Sequence, residues 1–275
     1  MNGFFRRINL LAISSWIVIA FLLVPLIAIL PLSFSNSSLL QLPPPGFSLR
    51  WYEAYLLDPH WVGATLNSVI VGSITALISV VLGMAAAYGL SQSKWKGKAA
   101  LQALILSPLL VPVIVIAVAT YSVFARFGLN GSFTGLIISH TIVTFPYTVV
   151  VISAALERFD PRLAQMAVSL GATPFRAFVS VTFPIIRAGV IVALLFAFLN
   201  SFDELVLSTF IAGPETTTLP KRLWDGIRYE LSPVIAAVSS LLILLSCAII
   251  GLSEVFKHRA ERMGTANPPV SSEQQ

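Results

Sequence analysis

Two adjacent carboxylates, Asp203 and Glu204, stand in the middle of LLFAFLNSFDELVLSTFIAG, a stretch that is otherwise almost wholly apolar. A charge at the centre of a membrane helix costs roughly 2.5 to 3.5 kcal/mol on insertion scales, unless it faces a polar cavity or a partner. Such a pair can therefore line a path for a cation, relay a proton, or cap a helix end. The spacing of Ser201 and Glu204 fits the S-x-x-E capping box, with Asn200 beside it, so a broken and restarted helix is one reading. Adjacent helical residues point about 100° apart, so both acids cannot face one cavity equally. Asp203 is assigned to the cavity and Glu204 to the cap or to a subunit contact, with Asn200 and Ser201 beside them on the path.

Few other residues are equipped for chemistry. Of the three histidines, only His140 falls inside an apolar run, between Ser139 and Thr141, where it reads as an interhelical hydrogen-bonding group. HExxH is absent, and the single cysteine, Cys247, offers neither a disulfide nor a thiolate metal site. No catalytic set and no metal site are expected, and an intramembrane hydrolase is disfavoured.

The elements that must position these residues follow from composition. The chain is 56% hydrophobic and 11% charged, with a mean hydropathy of +0.87, whereas soluble domains carry about 25% charged residues. Apolar runs long enough to cross some 30 Å of hydrocarbon fall at six places: about 10–32, 66–90, 101–124, 135–156, 189–211 and 234–256. An all-α bundle of six transmembrane helices is expected over residues 1–263, a single domain. The third run contains Pro108 and Pro112, which neighbouring helices can accommodate in a bundle. The first run exceeds the 7 to 15 residues of a signal-peptide core, so it is expected to be retained. Residues 33–64 are too polar and broken to span. Their Trp51, Tyr52, Tyr55 and Trp61 suit an outer-interface element. The tail, 264–275, lacks apolar bulk and is expected to be disordered.

Arginine and lysine set the orientation. Arg6, Arg7, Lys94, Lys96, Lys98, Arg158, Arg162, Arg176, Arg187, Lys257, Arg259 and Arg262, twelve of the 17 basic residues, fall on the side of the N-terminus. Both termini are thus expected in the cytoplasm. The net charge of +5 and pI near 9.6 reflect that topology and not a nucleic-acid footprint.

The longest cytoplasmic loop, about 157–188, carries more local structure than a connector needs. Asp160-Pro161 reads as an N-cap with proline at the first helical position, and Gly171 as the stop of a short helix over 161–170. Thr173-Pro174 repeats the signal, and a second short helix is expected to end near Pro184. Leu163, Met166, Ala167 and Leu170 form one face of the first helix. Either this knob packs back on its own membrane domain, or it docks a partner protein.

The stretch LAQMAVSLGATPFRAFVSVTFPIIRAGV resembles the EAA loop of permease subunits in bacterial binding-protein-dependent ABC importers of type I, a MetI-like fold. The pattern falls on Gln165, Met166 and Ala167, then Gly171, then Phe183-Pro184. Gln165 stands where the family has an acid and Met166 where it has its first alanine, which removes a charge and keeps the helix–corner–helix shape. NSFDELVLSTFIAGPETTTLP is similar to the spermidine/putrescine-type branch. The resemblance implies a second, different permease subunit and a periplasmic binding protein that delivers cargo. It also implies a cytoplasmic ATPase dimer gripping Gln165, Met166, Ala167, Gly171, Ala172 and Phe175. ATP and Mg would sit on that ATPase, and this chain has no G-x-x-x-x-G-K-[ST] phosphate loop. A bacterial inner-membrane subunit without enzymatic activity or cofactor of its own is expected, importing a cationic or zwitterionic amine. The alternative is a proton-coupled secondary transporter using Asp203 and Glu204 as its relay.

Overall fold

The computed structural model describes residues 2–39, 41–229 and 232–264, with side chains from residue 12 to residue 252 of these. The expected tail therefore lies, beyond Gly264, outside the described residues. All regular structure described is helical, apart from an isolated antiparallel bridge between Ser35 and Phe47. In chain order the α-helices are α1 (Asn2–Ser33), α2 (Arg50–Leu57), α3 (Pro59–Gln92), α4 (Lys98–Leu106), α5 (Val113–Phe127) and α6 (Phe133–Glu157). They continue as α7 (Pro161–Ser169), α8 (Pro174–Ala177), α9 (Phe183–Phe202), α10 (Val206–Ile211), α11 (Leu219–Tyr229) and α12 (Val234–Gly264).

Among the described residues, five helical stretches are long and apolar enough to cross a membrane: Ala12–Ser33, Pro59–Gln92, Phe133–Glu157, Pro174–Phe202 and Val234–Leu252. A sixth crossing is available if Lys98–Leu110 and Val113–Phe127 count as one span, but these two are bent by 100°. The expected continuous third span is therefore broken. Its prolines are the reason: Pro108 opens a 3-10 turn over Ser107–Leu110, and Pro112 stands in extended backbone as the N-cap of α5. A proline N-cap supplies no N–H and forces the residue before it away from helical geometry.

Cα packing divides the chain into two compact units. One gathers Met1–Val62 with Leu223–Cys247. There α1 and α2 are tied by a 2.8 Å hydrogen bond between the Ser33 and Tyr52 hydroxyls, and Tyr55 meets Trp61 edge-on. The other contains Gly63–Arg222 and every residue of the candidate site.

In that second unit α6 is the central post. One apolar cluster joins Ala76, Val80, Ala87 and Leu90 of α3 to Val149, Ile152 and Leu156 of α6 and Ile186, Ala193 and Ala197 of α9. A second joins Val71, Ala117, Phe124, Leu136 and Val143 to Leu207 and Ile211 of α10. Membrane helices gain no hydrophobic drive from one another, so close approach through small residues matters. Gly189 of α9 lies so near Ala155 of α6 that a Cβ on it would collide with the alanine methyl. Between the two clusters α6 turns His140, Thr144 and Thr148, spaced four apart, into the buried interior.

Candidate functional site

The knob after α6 is built by its caps. Asp160 accepts from the Arg162 N–H at 2.9 Å, and Pro161 opens α7. At the other end the Gly171 N–H donates to Val168 O at 2.9 Å and the Ala172 N–H to Ala167 O at 3.1 Å. That pair of bonds is the Schellman arrangement, and Gly171 takes φ 95° to close it. Thr173 then caps α8, accepting from the Arg176 N–H at 3.3 Å. The first expected short helix, the corner and the start of the second helix are present.

The large apolar side chains of the knob are left uncovered. Met166 is 61% exposed, Leu170 88% and Phe175 76%. Ala164 is the α7 residue that packs against the core, while Gln165 is exposed and Ala167 and Ala172 are half-buried. An exposed apolar stripe of this kind, outside the spans, marks an interaction surface more often than an accident of folding.

The second short helix does not end at Pro184. A π-turn over Phe178–Thr182 joins α8 to α9, and the run Pro174–Phe202 is one helix of 29 residues. The Phe183 N–H bonds back five residues to Phe178 O. This wider ladder takes up the shift that Pro184 imposes at the start of α9, so the proline is accommodated without a break.

That run stops at the acid pair. Asp203 is the C-terminal cap of α9, its N–H donating to Leu199 O at 3.0 Å, and its side chain is exposed. The helix restarts at Val206, and the Glu204 Oε1 accepts from the Leu207 N–H at 3.0 Å. Leu205 is the N-cap of α10, and Glu204, one residue before it, bonds a backbone N–H of the first turn without Ser201 as a capping-box partner. Ser201 still belongs to α9, is buried, and its hydroxyl sits 2.9 Å from His140 Nδ1. The Asn200 Oδ1 accepts from the Thr144 hydroxyl at 3.0 Å. The structure brings Asn200, Ser201, Asp203 and Glu204 together at one helix break, and places the knob residues at the other end of the same helix.

Two members of the break escaped the sequence reading. Ser208 lies 3.3 Å from His140 Nε2, and Thr144 holds Asn200. Their partners are 56 to 68 residues away, so no local pattern marks them. The one available signal is the polar series His140, Thr144 and Thr148 along an apolar helix. Ser201 and His140 were each visible singly, but not as a pair. No group of three or more His, Cys, Asp or Glu able to hold a metal occurs among the described residues.

The family described as "Binding-protein-dependent transport system inner membrane component" matches residues 79–262. The spermidine/putrescine transport system permease protein PotC of Haemophilus influenzae is 28% identical over 259 residues, covering 94% of this chain and 99% of its own. The putrescine transport system permease protein PotI of Escherichia coli K12 is 29% identical over 238 residues, 84% of each chain. Among solved structures, a bacterial ABC transporter for import of the polysaccharide alginate superposes with TM-score 0.70 at 15% identity, covering 94% of this chain and 96% of that one. An amino acid ABC transporter gives TM-score 0.58 at 19% identity, over 76% and 98%.

Proposed function

Because the chain belongs to the family of binding-protein-dependent transport system inner membrane components, we propose that it forms one half of the membrane path of an ATP-driven importer for a small cationic amine. A second, different permease subunit supplies the other half. A periplasmic binding protein hands over the cargo, and an ATPase dimer docks on the cytoplasmic knob. ATP and Mg belong to that dimer. Both termini lie in the cytoplasm of a chain embedded in inner-membrane lipid, and nucleic acid has no part. Family membership replaces the proton-coupled reading of the acid pair.

The observation that carries the proposal is the unbroken helix Pro174–Phe202, with the knob at one end and the acid pair at the other. At 1.5 Å per residue it is about 43 Å long. The exposed Met166, Leu170 and Phe175 suit an apolar partner surface, and Gly171 fixes the corner that carries them. Closure of the ATPase pair would move the knob and swing the far end of the same rod at Asp203. ATP hydrolysis supplies the energy, and the difference in partner affinity between the two states of the bundle supplies the bias.

Cargo preference rests on charge. Two relatives are named as polyamine permeases, and the exposed carboxylate of Asp203 offers a cation the partner a polyamine ammonium seeks. In proteoliposomes holding the assembled transporter, Asp203→Asn should reduce putrescine uptake at least tenfold while the ATPase still co-purifies. Normal uptake by the assembled Asp203→Asn transporter would assign the exposed acid to architecture.

A further inference from the structure

His140 is buried, and so are the two hydroxyls it touches. Ser201, 2.9 Å from Nδ1, belongs to α9, and Ser208, 3.3 Å from Nε2, belongs to α10. The ring thus spans the helix break from α6, with one nitrogen on each side of it. In the tautomer with the proton on Nε2, the Ser208 hydroxyl donates to Glu204 O at 2.8 Å and accepts from Nε2–H. In that same tautomer Nδ1 is bare and accepts from the Ser201 hydroxyl. The result is a directed chain: Ser201 O–H to Nδ1, Nε2–H to Ser208 Oγ, Ser208 O–H to the Glu204 carbonyl.

This chain is not needed to hold either helix in place. α9 is anchored by its own apolar cluster through Ala193 and Ala197, and α10 by another through Leu207 and Ile211. Neither cluster includes the three-residue break between them, which contains both acids. We propose that His140 is a positioning residue for cargo binding: it bridges Ser201 and Ser208, locks the angle of the α9–α10 break, and so sets where Asp203 is presented. The cargo half of this inference rests on the reading of Asp203 given above, whereas the bridge itself does not.

Two variants separate the bridge from mere packing. His140→Gln can keep the contact to Ser208 and loses the one to Ser201; His140→Asn keeps the contact to Ser201 and loses the one to Ser208. Neither spans both hydroxyls. The test uses the assembled transporter in a Cys247→Ser background carrying Leu205→Cys in the break, with putrescine as the cargo probe. Both variants should raise the rate of thiol labelling at position 205 at least threefold and the half-saturating putrescine concentration at least fivefold, with ATPase co-purification retained. Ser201→Ala should do the same, and combining it with His140→Gln should add little, because both cut one chain. Unchanged labelling overturns the bridge. Faster labelling with an unchanged half-saturating concentration overturns the positioning role, and loss of assembly in both variants makes His140 a packing residue only. If Asp203→Asn transports putrescine normally, the cargo reading fails separately and the labelling arm still decides the bridge.

Discussion

Asp203 and Glu204 are neighbours with opposite surroundings, and their consequences differ accordingly. Glu204 turns inward and spends one oxygen on the Leu207 N–H, where a negative charge also complements the start of α10. Glu204→Ala should therefore destabilise the protein by about 1 kcal/mol, the usual scale for loss of a cap, read as a lower midpoint of thermal unfolding in detergent. Glu204→Gln keeps an acceptor oxygen and should cost less, about 0.3–1 kcal/mol from the lost charge. A midpoint unmoved by Glu204→Ala would remove the cap from the account. The expected difference between the acids assumed that they sit on one helix, whereas they differ because Asp203 is the C-terminal cap of α9 and Glu204 lies in the break before α10. The bond between Ser201 and His140 was not legible: the capping-box spacing made Glu204 a plausible local partner, and a contact across 61 residues leaves no trace in spacing.

At the scale of elements, helix starts and stops were the most readable features, since each is written in one or two residues. Asp160-Pro161, Gly171 and Thr173-Pro174 all act where their chemistry places them. Gly171 at φ 95° occupies backbone that costs a side chain about 1 kcal/mol or more. Gly171→Val should insert into the membrane but lower ATPase co-purification and transport-coupled ATP hydrolysis, because the corner that aims Met166 and Phe175 is distorted. Full coupling in that variant would make the knob a packing element. Prolines were less readable because their effect depends on the ladder around them. Pro112 breaks its run by 100°, while Pro184 is absorbed by the π-turn over Phe178–Thr182. The second case turned an expected short helix into the first third of a long one, and with it supplied the rod that links knob and acid pair.

For the whole molecule, length and hydropathy sufficed to foresee a helical membrane bundle, but the packing of α6 between α3, α9 and α10 depends on pairs such as Gly189 with Ala155 that lie far apart in sequence. Orientation is a matter of charge, and it is checked by labelling in intact cells. In a Cys247→Ser background, Lys96→Cys should resist a membrane-impermeant thiol reagent and Glu215→Cys should react; the reverse pattern would invert the topology. The account as a whole stands on ATP as the energy source. Its most direct test is putrescine uptake into proteoliposomes holding this chain with its partner permease and ATPase, with the binding protein supplied outside. The account predicts uptake that requires internal ATP and the binding protein and is indifferent to an imposed pH gradient. Uptake driven by the pH gradient without ATP would contradict it.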